Sequence, residues 1–234
     1  MSRWTPERLY DAVSMGVPVE GKDLSGLNLK GMDLGGANLR GSDLTKANLT
    51  GTNLEESHLE RVKLAGVFFK DTNLCNADIS ETTLEDLDLS TCTMTGIKAR
   101  KTQFIRVSIF LRDLKGSTLS GAIMMHCVFN DVDFSDSQME QMNIIFCSIK
   151  GCRMDRCNLQ NTNLSLCRMK DSHFNHCEIS GGSLMASTGN NIEITESNIE
   201  GMDLTLCRIQ GLDITKSTYK KVVQEETRIK DLKK

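Results

Sequence analysis

The sequence predicts an all-β solenoid, and three observations carry that prediction. A five-residue period runs along most of the chain: KDLSG, LNLKG, MDLGG, ANLRG, SDLTK, ANLTG and TNLEE follow one another from Lys22. The third residue of each unit, here termed the centre, is Leu, Ile, Met or Phe in 37 of the 39 units from Leu24 to Ile214; the exceptions are Ala99 and Gly189. The residue two before the centre is Ala, Ser, Thr, Cys, Val or Gly in 29 of those 39 units, and thirteen of the eighteen glycines fall two after the centre. Glycine recurring at one phase marks a repeated turn, because it adopts positive φ without a steric penalty. A period of five is neither helical nor a simple strand alternation. It fits a short extended piece followed by a turn, pointing one large and one small apolar side chain inward. One such unit cannot bury those side chains alone, whereas stacked coils can.

The elements follow in order. Residues 1–21 form an N-terminal capping helix within WTPERLYDAVSMGVP. Thr5 suits the N-cap and Pro6 the first helical position. Trp4 and Leu9 occupy the hydrophobic-staple positions, and Gly16 suits C′, with Pro18 beyond it. Residues 22–216 carry the repeat without a register slip. Within them, 97–115 is anomalous: Ala99 is an undersized centre, and Arg112 falls at an inward phase. A buried unpaired guanidinium costs several kcal/mol, so a bulge that releases Arg112 is expected. The stretch ASTGNN, at Gly189, is a second expected irregularity. Residues 217–234 break the repeat and read as a C-terminal helix, with Ser217 or Thr218 as N-cap and Tyr219, Val222, Val223, Ile229 and Leu232 on one face.

The units resemble the A(D/N)LxX repeats of pentapeptide-repeat proteins over more than 80% of the chain, from about Lys22 to Lys216. The resemblance implies a right-handed quadrilateral β-helix with four pentapeptides per square coil, hence about ten coils and a rod roughly 48 Å long. In some relatives a C-terminal helix carries a dimer interface. The phase-locked cysteines in MHCVF, DRCNL and SLCRM are similar to the gyrase-binding branch, which protects against quinolones or gyrase-directed toxins. Other relatives are delivered into host cells.

With twenty residues per coil, residues twenty apart stack in a column. On the first face (centres 24, 44 and onward) and its following corner, Ile105, Met125, Ile145, Phe146, Leu166, Met185 and Leu206 should point outward, with Ile123 nearby. That is a candidate interface of the size that usually marks one. The second face (centres 29, 49 and onward) is partly basic, with Lys30, Lys70, Lys150, Arg168, Lys170 and Arg208. The third face (centres 34, 54 and onward) carries a candidate acidic stripe: Asp33, Glu55, Glu56, Asp113, Asp133, Asp136, Asp155, Glu193, Glu196 and Asp213, against Lys115, Arg153, Arg156 and Lys216. Such a stripe would imitate the phosphates of duplex DNA or simply keep the rod soluble.

Eight of nine cysteines occupy the inward small phase; only Cys75 lies outward. A thiol there acts as a small hydrophobe, and parallel side chains ~4.8 Å apart do not suit a disulfide. Reduced thiols filling the bore are expected. Cys167, His173, His176 and Cys177 diverge by phase, which does not make a tetrahedral metal site. No nucleophile–base pair, phosphate loop or dinucleotide fingerprint occurs, and a filled bore leaves no concave site. No enzyme activity and no cofactor are expected. The net charge of −3 is not that of a nucleic-acid binder. No apolar run spans a membrane, and the N-terminus lacks a signal-peptide core, so a bacterial cytoplasmic location is expected, with secretion as an effector left open. The function read from the sequence is a non-catalytic interaction scaffold. It would engage a protein partner, or itself as a homodimer through the apolar face or the C-terminal helix. The alternatives are a DNA mimic that binds a type II topoisomerase (DNA gyrase) and a secreted bacterial effector.

Overall fold

A computed structural model describes residues 4–234. The first element is helix α1 (Pro6–Ser14). The Thr5 hydroxyl oxygen accepts the Arg8 amide at 3.3 Å, and Pro6 begins the helix. At the other end Gly16 takes φ +68°, its amide donates to Val13 and the Val17 amide donates to Ala12, both at 2.8 Å. Those two bonds form the Schellman closure that a C′ glycine allows. Leu9 is fully buried, Trp4 packs against the same core, and the Arg8 guanidinium lies 4.4 Å over the Trp4 ring. The helix lies inside the expected 1–21 segment but spans only Pro6–Ser14; residues 1–3 lie outside the described residues.

The solenoid ladder begins where the Val19 amide donates to the Asn38 carbonyl. Near the N-terminus each side of a coil contributes one parallel bridge, Asp23↔Asp43 and Asn28↔Asn48 being the first. Further along, the bridges lengthen into strands. β1 (Thr83–Glu85), β2 (Gln103–Ile105), β4 (Ile123–Met125) and β6 (Asn143–Ile145) form one parallel sheet on the first face. β3 (Ser108–Phe110), β5 (Val128–Asn130), β7 (Ser148–Lys150), β8 (Arg168–His173), β9 (Thr188–Glu193), β10 (Arg208–Asp213) and β11 (Arg228–Lys233) form the other, which starts on the second face. Every pairing joins residues twenty apart, from Asp23↔Asp43 to Asp213↔Lys233. Four five-residue units thus close one coil of a parallel, four-sided β-solenoid.

The repeat letters each have a physical task. The residue two after the centre takes the left-handed conformation, as at Gly26 (φ +67°), while the Leu27 amide closes the corner onto the Leu24 carbonyl at 3.3 Å. These are the requirements of a type II turn. The Asp or Asn before the centre accepts the amide two residues on: Asp33 from Gly35 at 3.1 Å, Asp43 from Thr45 at 2.9 Å, Asn48 from Thr50 at 3.0 Å. The side chain thereby mimics a backbone turn, which explains the D/N letter. The inward small residue reaches back one coil to the carbonyl of an earlier centre: Ser42 to Val19 at 2.7 Å, Thr52 to Leu29 at 2.8 Å, Cys157 Sγ to Phe134 at 3.1 Å. Serine, threonine and cysteine recur there because each is small and each donates to a carbonyl inside the bore, where an unpaired polar group is costly.

Three sequence expectations are corrected. The C-terminal segment 217–234 is not a helix. Its residues Arg228–Lys233 are β11, paired in register with β10 (Ile209↔Ile229, Leu212↔Leu232). The repeat domain therefore runs past 216, and the coil count differs slightly from the expected ten. The last coil brings its own polar side chains to the open end. Lys234 Nζ lies 4.4 Å over the Tyr219 ring, and Gln224 bonds the Tyr219 hydroxyl. The second correction is at Arg112. No bulge occurs: Ile109↔Phe129 and Asp113↔Asp133 keep the twenty-residue register. Arg112 stays half-buried, and its Nε donates to the Ser90 carbonyl of the preceding coil. The third is at Gly189, which lies inside β9 in register with Met169 and Ile209.

Candidate interaction surface

The bore is filled by the centres, so the functional candidates lie on the outside. On the first face, the register of β2, β4 and β6 stacks Ile105, Met125 and Ile145 in one column, each half-buried between its neighbours. Ile123 is half-buried beside them. The following corner column carries His126, Phe146, Leu166, Ala186 and Leu206. Phe146 is 51% exposed, Leu166 42% and Leu206 45%, and Met185 on the adjoining column is 40% exposed. The His126 and Phe146 rings stack at 5.1 Å with 7° between planes. The seven expected residues thus lie on two adjoining columns, interrupted by Ser165 and Ala186.

The backbone adds an observation that phase alone could not give. The corner position is left-handed: φ is +58° at Phe146, +59° at Leu166 and +61° at Leu206. Left-handed geometry costs an L-residue roughly 1–2 kcal/mol, and Asn and Asp tolerate it best. Of the 28 non-glycine residues with positive φ among the described residues, the large apolar ones are Leu111, Phe146, Leu166 and Leu206. Three of those four share this one corner. Each holds a left-handed backbone and an exposed apolar side chain at once, and of the three only Phe146 has a ring contact inside the chain, its stack on His126.

Beside the strip, the next column on the second face reads Asp88, Ser108, Val128, Ser148, Arg168, Thr188, Arg208 and Arg228 along one unbroken register. Arg168, Arg208 and Arg228 are exposed and form no ion pair among the described residues. Arg228 was missed from the sequence because its segment read as a helix.

The family model for pentapeptide repeats matches eight copies, over residues 23–61, 57–96, 113–143 and 150–188. The chain belongs to the pentapeptide-repeat family. No curated protein matches the sequence. Among solved structures, this pentapeptide-repeat chain is similar to HetL, described as involved in heterocyst differentiation regulation, from the cyanobacterium Nostoc sp. strain PCC 7120. That match has a TM-score of 0.54 at 18% identity and covers 94% of this chain and 95% of the other. A trypsin-treated form of QnrB1, described as a plasmid-mediated fluoroquinolone resistance protein, matches with a TM-score of 0.32 at 12% identity, covering 91% and 89%. The likeness to HetL concerns the fold alone.

The acidic stripe of this pentapeptide-repeat rod is not bare negative charge. Arg156 holds Asp136 at 2.6 and 2.8 Å, and that hydrogen bond keeps the Asp136 carboxyl below its usual range. Asp133 meets Lys115 at 3.2 Å, Asp155 meets Arg153 at 3.6 Å, and Asp213 meets Lys233 at 3.5 Å. Glu193 meets His173 at 2.8 Å, and Glu196 meets His176 at 2.9 Å and Lys216 at 3.0 Å. Glu55 accepts Asn73 at 3.3 Å, and Asp113 accepts the Lys115 amide at 2.8 Å. Glu56 stays exposed. Most of these partners lie one coil away, so a column-by-column count of the sequence would have found them.

Cys167 and Cys177 lie buried in the bore, while His173 and His176 point out to their glutamates. Among the described residues no group of three or more His, Cys, Asp or Glu is placed to hold a metal ion. No helix among them is long and apolar enough to cross a membrane.

Proposed function

We propose that this chain is a non-catalytic interaction scaffold whose contact surface is the apolar strip running from Ile105 to Leu206. One observation carries the reading: Phe146, Leu166 and Leu206 are both left-handed and exposed at a single corner. Strained backbone at an exposed apolar site points to a role outside the fold. The filled bore supports a role without catalysis, since small-molecule chemistry needs a concave site. The ion pairs threaded through the third face weigh against the alternative in which that face stands in for DNA.

The test separates stability from binding. Changing Phe146→Asn and Leu166→Asn together should leave the urea midpoint unchanged, or raise stability by about 1 kcal/mol as left-handed strain is relieved. The same change should abolish recovery of the partner by affinity capture from the source organism. Equal recovery by both forms would overturn the reading.

A further inference from the structure

The geometry points to a second copy of this chain, running antiparallel, as the occupant of the strip. The inference rests on the reading of the strip as a contact surface and adds its occupant.

Charge is distributed along the strip with a polarity. At its low-numbered end, Glu85 and Asp86 are both taken up by Arg106, and Asp88 is left exposed without an ion pair among the described residues. At its high-numbered end stand Arg168, Arg208 and Arg228, which form no ion pair among the described residues. Two copies packed in parallel at equal height put acid level with acid and base level with base. Reversing one copy puts acid opposite base.

The register fixes the details. A twofold axis across the rod at the coil of Phe146 and Ser148 pairs each residue with the one equally far on the other side of its own column. Asp88 lies sixty residues before Ser148 and Arg208 sixty after it, so the two meet twice per dimer. Ile105 lies forty before Ile145 and Met185 forty after it, so these apolar side chains meet as well. Phe146 sits on the axis against its own copy. The same operation sets Leu166 against His126 and Leu206 against Asp86, so the apolar centre of the contact is Phe146 with Ile105, Ile145 and Met185, flanked by the two Asp88–Arg208 pairs, an isologous arrangement of the kind a closed twofold interface requires.

The full chain should sediment as a dimer at low ionic strength and shift toward monomer as salt is raised, because exposed pairs at the rim are screened. Asp88→Arg and Arg208→Asp should each weaken the dimer by about tenfold, since every single change strikes two symmetric contacts. The double swap should restore affinity to within about threefold. Phe146→Asp, at a position where aspartate suits the backbone, should give a folded monomer, checked by circular dichroism. A chain that stays monomeric at all concentrations overturns the inference; if partner capture still depends on Phe146 and Leu166 in that case, the scaffold reading stands without it. A dimer indifferent to Phe146→Asp and to both swaps lies on another surface and overturns the inference too.

Discussion

Raising the pH from 8 to 10 should lower the stability of this protein by several kcal/mol, about 2 for each strongly shifted thiol. Burial pushes the thiols of Cys92, Cys152 and Cys207 up to about 11, and those of Cys157 and Cys177 up to about 12. An unfolded thiol titrates near 8.5, so between that value and the folded value the unfolded chain has lost protons that the folded chain keeps. Stability is complete below about pH 8.5 and falls as the pH rises, by about 2 kcal/mol per thiol at pH 10. Several such thiols act in the same direction, and the stability of a typical domain is only about 5–15 kcal/mol. Urea unfolding at the two pH values measures the drop. The triple change Cys92→Ala, Cys157→Ala and Cys177→Ala should make the pH-dependent loss clearly smaller, whatever it does to stability at pH 8. An identical drop in both proteins would show that the thiols are not the cause. At pH 8 a thiol reagent should label only half-buried Cys75 until the chain unfolds.

Phe129→Ala should cost about 3–5 kcal/mol. Phe129 is 2% exposed, and its ring meets Phe134 edge-on at 5.7 Å and 80°. The space it leaves cannot collapse readily, because the ladder holds Ile109 and Ile149 one coil below and above. Each coil touches mainly its neighbours, so weakening one mid-rod coil should also separate the urea transition into two steps. Phe68, at 62% exposure, is the control: Phe68→Ala should change stability by less than about 0.5 kcal/mol. Comparable losses at both positions would contradict the packing described above.

The two outcomes differ because of phase, and phase is what the sequence alone determined. The five-residue period assigned the bore, the role of eight cysteines and the twenty-residue columns. The N-terminal cap was equally legible, because Thr5, Pro6 and Gly16 act through contacts a few residues away. What failed were judgements that depend on a neighbour one coil distant. The C-terminal segment looked helical because inward phases of the solenoid alternate in steps of three and two. Tyr219, Val222, Ile229 and Leu232 satisfy both patterns, and only Val223, 43% exposed, fits the helix alone. The open edge of β10 decided the matter by pairing backbone groups that a helix would have paired within itself. Arg112 needed no bulge because the Ser90 carbonyl, twenty-two residues upstream, lay within reach. The stripe of acids became a lattice of ion pairs for the same reason. Local chemistry fixes which way a side chain points; what it meets there is set by the next coil, and only the tertiary structure places that coil.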